Sequence, residues 1–109
     1  MNKVYAVGCL EIDFSEKAKK LFLDQRLWYL FSDFISAEKF ILKNNLNIFE
    51  NNFNFAVIEE IELVGESSFC LEVPKQWWYS PTRQYQEVIS VEATEAPPCV
   101  KNISYIWVG

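Results

Sequence analysis

The residues best suited to bind a small ligand are arginines that lie close to aromatic residues in the sequence. The chain has only two arginines, and each has such neighbours: Trp28 and Tyr29 follow Arg26, whereas Trp77, Trp78, Tyr79 and Tyr85 surround Arg83. An aromatic ring can stack on a nucleotide base, which contributes about 1–3 kcal/mol per base, and an arginine can bind a phosphate through two parallel hydrogen bonds. The pattern therefore predicts a site for a small nucleotide.

The two adjacent tryptophans are predicted to have different environments. Because successive side chains of a strand point to opposite faces, Trp77 and Trp78 must lie on opposite faces of a sheet. One of them is expected in the core. The other is expected to need a ligand or a partner surface, and the sequence leaves open which one this is.

A run of acidic residues is the candidate for acid–base catalysis. Glu60 and Glu62 share one face of a predicted strand, about 6–7 Å apart, and Glu59 is adjacent to them. A strand rich in glutamate is more often a solvated face or an edge whose charge prevents aggregation. We therefore favour the structural interpretation and expect no catalytic residues.

Other familiar reactive groups are missing from the sequence. The chain has no histidine, only three glycines and no Cys-x-x-Cys pair, because Cys9, Cys70 and Cys99 are far apart. We expect no metal site and no cofactor, and we expect the three thiols to be buried and without a catalytic role. The odd cysteine count and the lack of a secretory leader predict a reducing interior, here the cytoplasm of a host cell.

Composition limits the function further. With 109 residues the chain is predicted to form a single domain, residues 1–109, and its net charge of −5 argues against binding to duplex nucleic acid. No apolar run approaches the roughly 20 residues that span a bilayer, so no membrane association is expected. Aromatic residues make up 17% of the chain, more than a small core needs, which favours a homo-oligomer.

Periodicity predicts an α+β fold, an antiparallel sheet with one principal helix packed on one face. The helix is predicted over residues 37–44, with Ser36 as its N-cap and Asn44 ending it. A turn is predicted at residues 80–83, where Pro81 suits a turn position. The predicted strands cover residues 3–10, 26–32, 53–63, 76–79, 84–91 and 104–108.

Several segments resemble a family of small phage and prophage proteins. They are Arg-Leu-Trp-Tyr at 26–29, the helix at 36–40, Asn-Phe-Asn-Phe-Ala-Val-Ile-Glu-Glu at 52–60, Trp-Trp-Tyr at 77–79, and Lys101-Asn102 to the terminal Gly109. The chain is similar over roughly residues 26–109 to the Thoeris anti-defence sponges. It departs from their pattern where Leu27, Tyr29 and Ser80 stand in place of Thr, Gly and Lys.

The resemblance implies a viral anti-defence protein that binds and sequesters a cyclic ADP-ribose immune signal without cleaving it. Some members of that family also hold cyclic oligonucleotides at other sites of a larger assembly. On this basis Arg26 and Arg83 would bind phosphate, and Trp28 with one of Trp77 and Trp78 would stack on a base. Asn102 would form a hydrogen bond to the ligand.

Two alternatives of different classes remain at the level of the sequence. The first is a phage inhibitor that binds a host protein through an acidic, aromatic surface. The second is a small enzyme that cleaves a nucleotide with Glu59, Glu60 or Glu62. A sponge releases its ligand intact on denaturation, an enzyme releases products, and an inhibitor of a host protein carries no nucleotide.

Overall fold

A five-stranded antiparallel sheet with one α-helix packed against it forms the part of the chain that the computed structural model describes, residues 2–12, 22–49, 53–63 and 75–96. This architecture confirms the predicted α+β class. Its elements are β1 (Asn2–Ile12), β2 (Phe22–Phe31), α1 (Phe34–Leu42), a 3-10 turn (Asn45–Asn47), β3 (Phe55–Leu63), β4 (Gln76–Gln84) and β5 (Glu87–Thr94). The predicted strand at 104–108, Cys70 and Cys99 lie outside the described residues.

Both faces of the central strands are buried. The strand order is β2-β1-β3-β4-β5, so β1 and β3 pair although β2 and α1 separate them in sequence. The helix-covered face includes Val7, Ala56 and Ile58, and the opposite face includes Ala6 and Val57. This arrangement follows from the period of two along β3, where neighbouring apolar residues serve different faces.

The start of β3 differs slightly from its prediction. Phe53 and Asn54 precede the strand instead of opening it. The Asn54 side chain donates to the Ile12 carbonyl at 2.9 Å and accepts from the Ile12 amide at 2.9 Å. A side-chain amide thus takes the place of a strand partner at the end of β1, because it carries one donor and one acceptor in the same arrangement as a peptide group.

The hairpin turn lies at Tyr85 and Gln86, so its prediction at residues 80–83 is wrong. β4 continues through Pro81, which is opposite Val91 of β5. The pairing of β4 with β3 ends at Tyr79, so Pro81 lies beyond the reach of β3. A proline has no N–H to donate, and it is tolerated where a strand lacks a partner on one side.

The helix begins earlier than predicted. Its N-cap is Asp33 instead of Ser36, and one Asp33 carboxylate oxygen accepts from the Ser36 amide at 2.8 Å while the other accepts from the Ser36 hydroxyl at 2.9 Å. Ser36 therefore lies in the first turn and caps nothing. The helix ends at Leu42, and Asn44 adopts a left-handed conformation, φ 48°, as its residue type predicts.

We expect the substitution Asp33→Ala to lower the melting temperature at pH 7 and to lose this effect in acid. Hydrogen bonds from Ser36 hold the pKa of Asp33 below its usual range. The cap therefore contributes stability above the unfolded pKa of about 3.9, and this contribution disappears as the pH falls through the folded value. Circular dichroism melts at several pH values test this. A deficit that is equal at pH 7 and pH 2 would contradict it.

Candidate functional site

Trp77 belongs to a half-buried group of rings at one end of the helix-covered face. Its ring centroid lies 4.7 Å from that of Phe34 and 6.4 Å from that of Tyr5, and the Tyr5 and Phe34 centroids are 6.0 Å apart. These separations are typical of favourable aromatic pairs. We call Tyr5, Phe34 and Trp77 the aromatic corner. All three rings remain partly accessible.

The aromatic corner is assembled by sheet register. Trp77 lies opposite Ile58 of β3, and Ile58 lies opposite Val7 of β1, so Tyr5 is one same-face position away from the row that contains Trp77. The first residue of α1, Phe34, packs over both rings. Three elements that are distant in sequence therefore form one surface.

Charged side chains surround this end of the sheet. The Lys3 ammonium lies 3.0 Å from a carboxylate oxygen of Glu60, which raises the pKa of Lys3 above its ordinary value. The Glu60 amide donates to the Lys75 carbonyl at 2.9 Å, and Lys75 is exposed. Within the described ranges no ion pair involves Lys75. It lies two residues before Trp77, and it is the cation best placed for an anionic group near the corner.

Trp78 is a core residue. Only 4% of it is exposed, and it packs on the face opposite Trp77. Its indole nitrogen donates to the Gln76 side-chain oxygen at 3.4 Å, and the Gln76 side-chain nitrogen donates to Glu59 at 2.8 Å. The prediction that the two tryptophans lie on opposite faces is confirmed, and Trp77 is the more accessible of them.

Arg83 is engaged with the backbone. Its guanidinium donates to the carbonyls of Phe49 and Phe53, the latter at 2.8 Å, and to the Gln86 carbonyl at 3.3 Å. These bonds tie the hairpin to the segment before β3. An arginine has five N–H donors, so two remain beyond these three bonds. Along β4, Arg83 is about 20 Å from Trp77 at 3.3 Å per residue, so the two are not brought together.

Arg26 and Trp28 lie in the edge strand β2. The backbone places Arg26 opposite Cys9, and Trp28 is the extra residue of a β-bulge between Leu27 and Tyr29. Such bulges often occur next to functional sites. β2 is three strand spacings from β4, about 14 Å. The remaining predicted ligand residue, Asn102, lies outside the described residues.

The three glutamates do not form one group. Glu59 is fully buried on the face opposite Trp77, whereas Glu60 is ion-paired with Lys3 and Glu62 is exposed. In the described ranges no group of three or more His, Cys, Asp or Glu side chains is placed to hold a metal ion. No described helix is long and apolar enough to cross a membrane.

Comparison with protein-family models, with curated proteins and with solved structures finds no match to this chain. The interpretation of the site therefore depends on its own geometry.

Sequence reasoning missed several members of this surface. Tyr5 and Phe34 were assigned to a strand and to the region before a helix, with no link to Trp77. The spacing of Lys75 and Trp77 was the one usable signal, because residues two apart on a strand share a face. A cation next to an aromatic residue on one face is the same pattern that singled out the arginines.

Proposed function

We propose that this chain is a viral anti-defence protein that binds and sequesters a cyclic nucleotide immune signal of the cyclic ADP-ribose type, without cleaving it. The observation that supports this most is the aromatic corner, where the accessible Trp77 lies next to an exposed lysine that has no ion pair in the described ranges. A base can stack on the rings while a phosphate takes the ammonium of Lys75 as its counter-charge.

The proposal assigns the other end of the ligand to β2. Arg26 and Trp28 lie about 14 Å across the sheet from β4, a distance that a dinucleotide-sized molecule can span. The two remaining N–H donors of Arg83, and Asn102, complete the proposed ligand residues. Trp78 contributes from beneath the sheet surface by fixing the position of its neighbour Trp77.

Sequestration requires binding alone, and the arrangement of the acids supports it. A pair of carboxylates for acid–base catalysis must face the same substrate, whereas Glu59 and Glu60 lie on opposite faces of β3. The proposal includes a homo-oligomer in the host cytoplasm. Apolar side chains exposed near the β2 edge support self-association, namely Tyr29, Leu30 and Ile35.

We expect the substitution Trp77→Ala to weaken binding of a cyclic ADP-ribose isomer by about 5- to 150-fold, because one stacked base contributes about 1–3 kcal/mol. Calorimetric titration measures this. Tyr85→Asn is a matched control, because it removes an exposed aromatic residue far along β4 and should leave the affinity unchanged. Equal affinities for wild type and Trp77→Ala would exclude the aromatic corner as the site.

The fate of the ligand distinguishes the function classes. Protein incubated with the cyclic nucleotide is purified, heated and centrifuged, and the supernatant is analysed by mass spectrometry. Intact nucleotide in a ratio close to one per site supports sequestration. Linear products would indicate an enzyme, and absence of nucleotide would favour the alternative of an inhibitor that binds a host protein.

A further inference from the structure

The β4–β5 hairpin extends beyond the rest of the sheet and ends in an edge strand. Among the described residues β5 pairs with β4 alone. Its side chains are mostly exposed, and Val91 is its one buried residue. The outer edge of β5 therefore presents backbone donors and acceptors that can pair with another strand.

The tip of this hairpin presents an aromatic side chain in an unfavourable backbone conformation. Tyr85 is 93% exposed and has φ 53°, and Gln86 has φ 72°. Turns of this kind favour Asn and Gly, because other residues crowd their own backbone at positive φ. The hydrogen bond from Arg83 to the Gln86 carbonyl holds the turn in place. Folding alone would be served better by Asn-Gly.

Charge determines which kind of strand can pair with this edge. Glu87, Glu92 and Glu95 are exposed, and no Lys or Arg occurs between Gln84 and Ala96. A second copy of β5 in antiparallel pairing would place glutamates against glutamates, which is destabilising. A segment rich in Lys or Arg would instead be attracted and oriented by the same charges.

Protection against aggregation explains only part of this edge. Charged residues do discourage unwanted pairing, and natural edges use them for that purpose. The same hairpin also exposes Tyr85 and Ile89, which is 59% exposed. Exposed apolar side chains at an edge increase pairing, and aromatic residues are common anchors of protein interfaces.

We propose that the edge of β5 is a docking site for a basic, extended segment of a partner protein. The segment adds to the sheet as a strand beside β5, its cationic side chains lie near Glu87 and Glu92, and an apolar side chain packs against Tyr85 and Ile89. Main-chain hydrogen bonds supply affinity in this mode of recognition, and side chains supply specificity. The site lies away from the aromatic corner and does not depend on nucleotide binding.

The test uses a synthetic ten-residue peptide in which Lys and Val alternate. We expect it to slow hydrogen exchange at alternate amides of β5, as measured by NMR. A peptide with Glu in place of Lys should bind at least about tenfold more weakly. A version N-methylated at alternate residues keeps the charge and loses the donors, so it should also lose the exchange protection. Unchanged β5 exchange, or equal binding of the methylated peptide, would overturn the proposal.

Two variants separate a specific edge from general charge attraction. Tyr85→Asn suits the turn, so it should raise the melting temperature or leave it unchanged while binding the Lys–Val peptide several-fold more weakly. Glu92→Lys should weaken binding by about tenfold. The control Glu62→Lys makes the same change of charge on β3 and should have little effect. Equal weakening by both charge variants, or sedimentation showing self-pairing through β5, would overturn the assignment.

Discussion

Replacing Tyr79 with phenylalanine is expected to remove a loss of stability that the wild type shows above pH 10. The Tyr79 hydroxyl donates to Glu38 at 2.6 Å, and the residue is 1% exposed. Burial, together with the hydrogen bond to Glu38 and its negative charge, raises the pKa of Tyr79 well above its ordinary value. The folded state therefore keeps the phenol protonated at a pH where the unfolded chain ionises it.

The sign of the effect follows from this difference. Because the folded pKa is raised, the contribution of Tyr79 is fully present below the unfolded pKa of about 10 and is lost as the pH rises towards the folded value. The free energy of unfolding should fall by up to about 1.4 kcal/mol for each pH unit in this range. In Tyr79→Phe this slope is absent.

Urea unfolding at pH 8, 9.5 and 11 measures the slope. At pH 8 we expect Tyr79→Phe to be less stable by about 1–2 kcal/mol, because the Glu38 carboxylate loses a buried partner. Tyr85→Phe removes a fully solvated hydroxyl and should keep the wild-type slope. Parallel pH profiles for wild type and Tyr79→Phe would contradict the assignment of the buried hydrogen bond.

Replacing Arg83 with alanine is expected to lower the free energy of unfolding by about 2–3 kcal/mol. The charged guanidinium satisfies carbonyls of the buried residues Phe49 and Phe53, and a third bond holds the Gln86 carbonyl at the turn. Removal of the side chain leaves those acceptors without their donor. It also releases the hairpin from the segment before β3.

A lysine at this position should restore only part of the stability, because an ammonium cannot reach several fixed acceptors as a planar guanidinium does. Lys75→Ala removes an exposed cation and should leave the urea midpoint near that of wild type. Nucleotide titration below the melting temperature of Arg83→Ala separates the two roles of Arg83. Unchanged affinity in the folded variant would exclude a phosphate contact, and an unchanged urea midpoint would exclude the structural role.

Local patterns predicted the fold where burial and periodicity agree. The alternation of apolar residues in β3 and the stripe of Ala37, Phe40 and Ile41 identified the sheet and the helix face. Element ends were less predictable, because Asp33 and Ser36 are both good N-caps and only tertiary position selects one. Pro81 indicated a turn by its type, yet the turn formed at Tyr85, where a distant contact overrides local preference.

The candidate site shows the same division. Trp77 was identified from the sequence because it is an aromatic residue close to an arginine. Its actual neighbours, Tyr5 and Phe34, were not identified, because their proximity results from pairing of β1 with β3 and of β3 with β4. Register between strands that are distant in sequence depends on the whole hydrophobic pattern and is not written in any one segment.

The pairing of β1 with β3 has a consequence for the order in which the chain folds. β4 and β5 are joined by a tight turn, and such hairpins form in about 1–10 μs. The centre of the sheet instead places Cys9 opposite Ala56, so a long loop must close before these contacts contribute. During synthesis β1 and β2 emerge first, and the inner edge of β1 stays unpaired until β3 has left the ribosome. The slow, exposed stage of folding therefore belongs to the middle of the sheet, and the β4–β5 hairpin is the part that can become native on its own timescale.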